Sequence, residues 1–247
     1  MNALENQIIG ELVAQDYRTA SIFKKYGIDF CCQGNRTIND ACEKKKIDTS
    51  TVVSDLNDTM KKMSENIIDY QSWPLDLLAD YIEKKHHAYV EEKSVEIKPY
   101  LDKICSVHGD RQPELFEINE HFTHTVGELS MHMRKEELIL FPAIRKMTKA
   151  KKLSEAYAMP PFGTIQNPIN MMMSEHLTEG DRYSKIDALS NNYTPPADGC
   201  NTYRVTFALL KEFEQDLHLH IHLENNVLFP AAIKLEQALP KKQSTFK

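Results

Sequence analysis

Apolar residues recur at three- and four-residue intervals over four long stretches, near 74–104, 113–148, 164–191 and 201–237. That is the period of helices that bury one face. The breaks carry loop chemistry: His108-Gly109-Asp110, Pro160-Pro161-Phe162-Gly163 and Pro195-Pro196-Ala197-Asp198-Gly199. Four long helices with short connections predict an antiparallel four-helix bundle over 74–240. Pro74 suits the first turn of the first of them.

Ahead of the bundle, residues 1–68 predict a small helical unit. One helix runs through Ile8, Ile9, Leu12 and Val13. A second covers Arg18 to Tyr26 and stops at Gly27, a good helix terminator. Cys31-Cys32-Gln33-Gly34-Asn35 reads as a turn, and Thr37 as the N-cap of a helix through Ile38, Ala41 and Cys42. A further helix is expected from about Ser50 to Ile67. A unit this short has a thin core and is expected to lean on something else. The chain as a whole therefore reads as all-α.

Composition narrows the class. The 247 residues are 41% hydrophobic and 27% charged, values of a soluble globular chain, and only 8 are glycine, which argues against a loop-rich β fold. The net charge of −6 comes with no basic patch free of acidic neighbours, so nucleic acid is not an expected partner. Glu5, Glu11 and Asp16 interrupt the first twenty residues, which lack the apolar region of a signal peptide. No apolar run approaches the roughly 20 residues that span a bilayer. Five cysteines without C-x-x-C spacing fit a reducing compartment, so a cytoplasmic location with no membrane partner is expected. Cys42, Cys105 and Cys200 read as structural.

An internal repeat carries the chemistry. His132-Met-Arg-Lys-Glu136-Glu-Leu-Ile-Leu-Phe141-Pro142-Ala143 matches His220-Ile-His-Leu-Glu224-Asn-Asn-Val-Leu-Phe229-Pro230-Ala231, offset by 88 residues. Residues i and i+4 sit about 40° apart on a helix and one turn along it. His132 with Glu136, and His220 with Glu224, can thus face one metal or two adjacent ones. His87 lies 45 residues before His132 and His176 lies 44 before His220, so each half offers a one-histidine helix followed by a His/Glu helix. His86 and His87 are not separated by geometry alone. His218 and His222 point away from Glu224, and His121 lies about 16 Å along the helix from His132. Four imidazoles and two carboxylates suit a dinuclear site for iron or manganese with the carboxylates shared. The prolines at 142 and 230 are expected to end or kink their helices. Glu128, one turn before His132, and Glu175, beside His176, read either as surface residues or as a polar path into the bundle. The only Glu-x-x-His spacing of ferritin type is Glu83 to His86.

These motifs resemble the iron–sulfur cluster repair di-iron proteins, the repair-of-iron-centres or ScdA/YtfE type, over nearly the whole chain. Tyr26 to Cys42 is similar to that family's small N-terminal domain. His86-His87, His132-Met-Arg-Lys-Glu136-Glu137, Met172-Met173-Ser-Glu175-His176 and His220-Ile-His-Leu-Glu224-Asn-Asn are similar to its haemerythrin-like domain. Gln33 departs from the second glycine usual after the two cysteines, and Val95 from a frequent proline.

The resemblance implies iron ligands His87, His132, Glu136, His176, His220 and Glu224. It implies two non-haem irons bridged by Glu136, Glu224 and an oxo or hydroxo group. It implies that Glu128 and Glu175 are channel or iron-mobility residues and that the Cys31–Cys32 turn is functional. The implied activity is repair of iron–sulfur clusters damaged by nitrosative or oxidative stress, with damaged iron–sulfur proteins as partners and nitric oxide or oxygen as small ligands. Repair could proceed by iron donation or by nitric oxide reduction. The alternative is an oxygen carrier or sensor of the haemerythrin type, which uses more histidines and has no use for the Cys-Cys unit. The sequence leaves a homodimer open.

Overall fold

A computed structural model of the protein describes residues 4–62 and 68–240. In the N-terminal unit, short turns join α1 (Ile9–Gln15) to α2 (Thr19–Lys25) and α3 (Ile38–Lys45) to α4 (Thr49–Lys61), and the longer segment 26–37 between α2 and α3 carries Cys31 and Cys32. Gly27 adopts φ +62°, the left-handed conformation that closes α2 without a Cβ penalty. The Thr37 side chain accepts from the Asp40 amide to cap α3, and Asp48 accepts from Ser50 and Thr51 to cap α4. The expected run of the last helix to Ile67 enters residues 63–67, which lie outside the described residues. Apart from an isolated bridge between Ile8 and Thr37, no β pairing occurs among the described residues.

The four long bundle helices follow. The first combines α5 (Leu75–Tyr81), a π-helical turn (Ile82–His87) and α6 (Ala88–His108). The second combines α7 (Glu114–Lys135), a π turn (Glu136–Leu140) and α8 (Phe141–Leu153). The third is α9 (Gln166–Leu189). The fourth combines α10 (Asn201–His222), a π turn (Leu223–Leu228) and α11 (Phe229–Ala238). α6 packs against α7 and α10, α7 against α9, and α5 against α8, as an antiparallel four-helix bundle requires.

Pro142 and Pro230 do not end their helices. Each sits at the second position after a π turn, where the chain has already changed register. A π turn leaves backbone groups out of the ordinary i to i−4 ladder, so a proline without N–H is accommodated there.

Apolar side chains form two separate clusters. One joins the N-terminal unit (Ile9, Phe23, Phe30, Ile38, Leu56) to one end of the bundle (Ile97, Phe122, Tyr183, Phe213, Leu217). The short unit thus leans on the bundle and shares its interior. The other cluster fills the opposite end with Ile82, Phe141, Ile144, Ile169, Leu228 and Phe229. Between them lies a buried polar layer. No helix among the described residues is long and apolar enough to cross a membrane.

Candidate metal centre

The polar layer is built from the three π turns. His87 ends the first, Glu136 opens the second and Glu224 lies in the third. His132 and His220 sit one turn earlier on their helices, and α9 contributes His176. All six side chains belong to residues no more than 3% exposed. They form two overlapping sets, His87/Glu136/His220/Glu224 and His132/Glu136/His176/Glu224. Within each set one donor atom per residue lies within 4.8 Å of every other. Both carboxylates belong to both sets.

The histidine next to the cluster is now separated by geometry. His87 turns Nε2 to within 3.4 Å of Glu136 and 4.0 Å of Glu224. His86 instead places Nδ1 3.0 Å from the Asp216 carboxylate and stacks on His220. His218 and His222 face the N-terminal unit: both rings pack on Phe30, and His222 also on Tyr17. Burial pulls their pKa values down to about 4 and about 3. Glu83 pairs with Arg145 and not with the cluster.

Three imidazoles are oriented from behind. His87 Nδ1 donates to Glu137 at 2.7 Å, His132 Nδ1 to Glu175 at 2.7 Å, and His176 Nδ1 to the Asn225 amide oxygen at 2.9 Å. A proton held on Nδ1 leaves the Nε2 lone pair facing the centre, the arrangement of metal-bound histidine. Glu137 and Asn225 occupy equivalent places in the repeat, each following the buried glutamate. That polar residue was the available sequence signal for these partners. Glu175 is also paired with Lys135, and its bond to His132 holds its carboxyl down at about 2.

The residues fit a cation. His132 Nε2 and His176 Nε2 lie 2.9 Å apart, a spacing at which a proton or a metal ion is shared between them. Two nitrogens bound at right angles to one first-row divalent ion at about 2.1 Å lie about 3 Å apart. Both oxygens of Glu136, Oε2 of Glu224 and Nε2 of His87 have no hydrogen-bond partner among the described residues. Such buried groups are costly unless coordinated. Electrostatics agree. Burial raises both carboxyls and they repel each other, yet the facing imidazoles hold Glu136 and Glu224 low. Burial would pull His132 down, but Glu136, Glu175 and Glu224 outweigh it and hold it at about 10. The layer draws positive charge into the bundle.

The remaining candidates divide. Cys31 and Cys32 lie against the centre: the Cys32 thiol donates to the His176 carbonyl at 3.3 Å, and the two sulfurs are 3.7 Å apart. Asp29 accepts from both cysteine amides and fixes the turn. The Cys32 thiol and burial push Cys31 well up. Glu128 is exposed and 3.6 Å from Arg182, which also pairs with buried Glu179 at 2.6 Å. Burial raises Glu179, which lies within a turn of His176 and was not singled out in the sequence. Cys42 and Cys105 are buried, but Cys200 is exposed at the start of α10 beside His108, which corrects its structural reading.

Residues 78–232 match the hemerythrin HHE cation binding domain, and residues 5–60 match a domain of unknown function, ScdA_N. The iron–sulfur cluster repair protein ScdA of Staphylococcus haemolyticus is 31% identical over 90% of this chain and 96% of its own. The iron–sulfur cluster repair protein YtfE of Escherichia coli O157:H7 is 34% identical over 94% of this chain and 98% of its own. With both parts matched in order and the His/Glu layer in place, the chain belongs to the ScdA/YtfE family of haemerythrin-like proteins.

Proposed function

We propose that this chain holds two irons in the His/Glu layer and acts in the cytoplasm to repair iron–sulfur clusters damaged by nitrosative or oxidative stress. His87 and His220 would hold one iron, His132 and His176 the other, with Glu136 and Glu224 between them. The observation that carries this reading is the pair of overlapping donor sets that share the same two carboxylates. Mixed nitrogen and carboxylate ligation suits iron.

When bound, ferrous iron there supplies electrons for nitric oxide or oxygen and a labile metal for a damaged cluster. The protein's own part is positional. Glu137, Glu175 and Asn225 keep three imidazoles turned inward with their protons on the far nitrogen. The carboxylates would offset the metal charge in a buried layer. Glu175, half-buried at the edge of the layer and paired with Lys135, is placed to accompany iron on its way out. The repair role is supported by the names of the relatives and by their match to 90% and 94% of the chain.

Iron per chain is measured by elemental analysis after anaerobic ferrous loading, in wild type and in Glu136→Ala/Glu224→Ala. About two irons, falling below one in the double variant, is the expected result. Loaded protein should then restore a nitric-oxide-damaged iron–sulfur enzyme. A folded wild type that takes up no iron sinks the proposal.

A further inference from the structure

Asn225 makes two bonds with opposite sense. Its amide nitrogen donates to the Cys31 carbonyl at 3.1 Å, and its oxygen accepts from His176 Nδ1 at 2.9 Å. A carbonyl can only accept, so Cys31 fixes which way round the amide lies. The amide in turn fixes the His176 tautomer, with the proton on Nδ1 and the lone pair on Nε2 toward the layer. The repeat shows what is particular here. The equivalent partner of His87 is Glu137, a carboxylate with no donor to offer. The half that faces the N-terminal unit carries an amide instead, and the extra donor goes to the cysteine turn.

The same junction is tied at other points. The Cys32 thiol reaches the His176 carbonyl, and Asn226 donates to the carbonyls of Phe30 and Cys31 at 3.2 and 3.4 Å. A Cβ at Gly180, one turn beyond His176, would stand 3.1 Å from the Cys32 sulfur. The space the thiol uses exists because α9 has a glycine there. Cys32 also borders a cleft of about 880 Å³ between the N-terminal unit and the bundle, so it is reachable by reagents.

We propose that Asn225 is a positioning residue that couples docking of the Cys31–Cys32 turn to metal retention at His176. The inference rests on the metal-centre reading above and deepens it. Coupling of two sites is reciprocal in free energy. A docked turn holds His176 in its ligating tautomer, and a metal on His176 holds the turn in place. Loosening the turn by a partner or by thiol modification then eases iron out on the His132/His176 side, with the His87/His220 side unaffected.

Two readouts test this on the full chain: the rate of ferrous transfer to a chelator, and the rate of Cys32 alkylation by iodoacetamide with and without iron, followed by peptide mass spectrometry. In wild type, iron should slow Cys32 alkylation. Asn225→Ala should lose iron about tenfold faster, the scale of losing an oriented-ligand partner, and iron should no longer protect Cys32. Asn225→Asp keeps an acceptor for His176 but has no donor for Cys31. It should retain iron better than the alanine variant while leaving Cys32 open to alkylation. A wild type without iron overturns the metal-centre reading. A wild type with iron, together with folded Asn225 variants matching it in both rates, overturns this inference alone.

Discussion

The Nε2 atoms of His132 and His176 meet across two helices at 2.9 Å, each with its other nitrogen committed to an acceptor. Two ring nitrogens at that distance need a proton or a metal ion between them, and a metal held there and by the carboxylates bonds to more groups than a proton does. Metal binding should therefore stabilise the fold. At ferrous ion about 100 times its Kd, linkage adds about 2.7 kcal/mol, or about 5–10 °C in melting temperature for a chain of this size. Calorimetry with and without a chelator checks this. Equal melting temperatures would count against metal in this layer.

His86 and His87 are sequence neighbours with different duties. His87→Ala should lose iron, because it removes a donor from one set. His86→Ala removes none and should keep iron content close to wild type, with a lower melting temperature because Asp216 loses its partner. Elemental analysis of the two variants decides between them.

Glu175 and Glu128 should also separate. Glu175→Gln replaces the carboxylate behind His132 and leaves Lys135 without its partner, so iron affinity should fall about 10–100-fold. Glu128→Gln touches a long ion pair whose carboxylate end is exposed, worth at most about 1 kcal/mol, and equilibrium iron affinity should not change. Chelator competition measures both. An equal loss in the two variants would overturn the placement of Glu175 behind His132.

Cys200 should be the most reactive thiol distant from the metal layer. The His108 imidazole at 3.3 Å, aided by amides at the start of α10, brings its pKa down to about 7. Its alkylation rate should reach half-maximum near pH 7 and shift toward about 8.5, the ordinary thiol value, in His108→Ala. Buried Cys42 should stay unmodified in the native protein.

Gly10→Ala probes the junction without touching a metal ligand. A Cβ there would fall 2.2 Å from the Asn226 side-chain oxygen. The overpacking should cost about 1–3 kcal/mol and raise Cys32 alkylation. A variant as stable as wild type would show that this contact gives way freely.

Much of the site was legible because its signals are local. His132 to Glu136 and His220 to Glu224 repeat within one turn, and Thr37 and Gly27 mark helix ends by their own chemistry. What escaped depends on register or on distance. A π turn shifts every later residue around the helix axis without disturbing the apolar pattern enough to read, so Pro142 and Pro230 read as points where a helix ends or kinks, and no π turn was expected there. Asn225 and Glu137 sit beside ligands in sequence, but the rings they hold belong to other helices. The His108–Cys200 pair joins residues 92 positions apart, and nothing near either one announces the other.

Among the described residues the His/Glu layer lies between two apolar clusters, so the bundle is two oily blocks with a charged waist. On the metal-centre proposal, loss of the cations should weaken that waist while each block keeps its own cohesion. Amides flanking the π turns should then exchange with solvent faster than those around Phe23 or Ile144, and hydrogen exchange with and without iron would show the waist loosening while both ends stay folded.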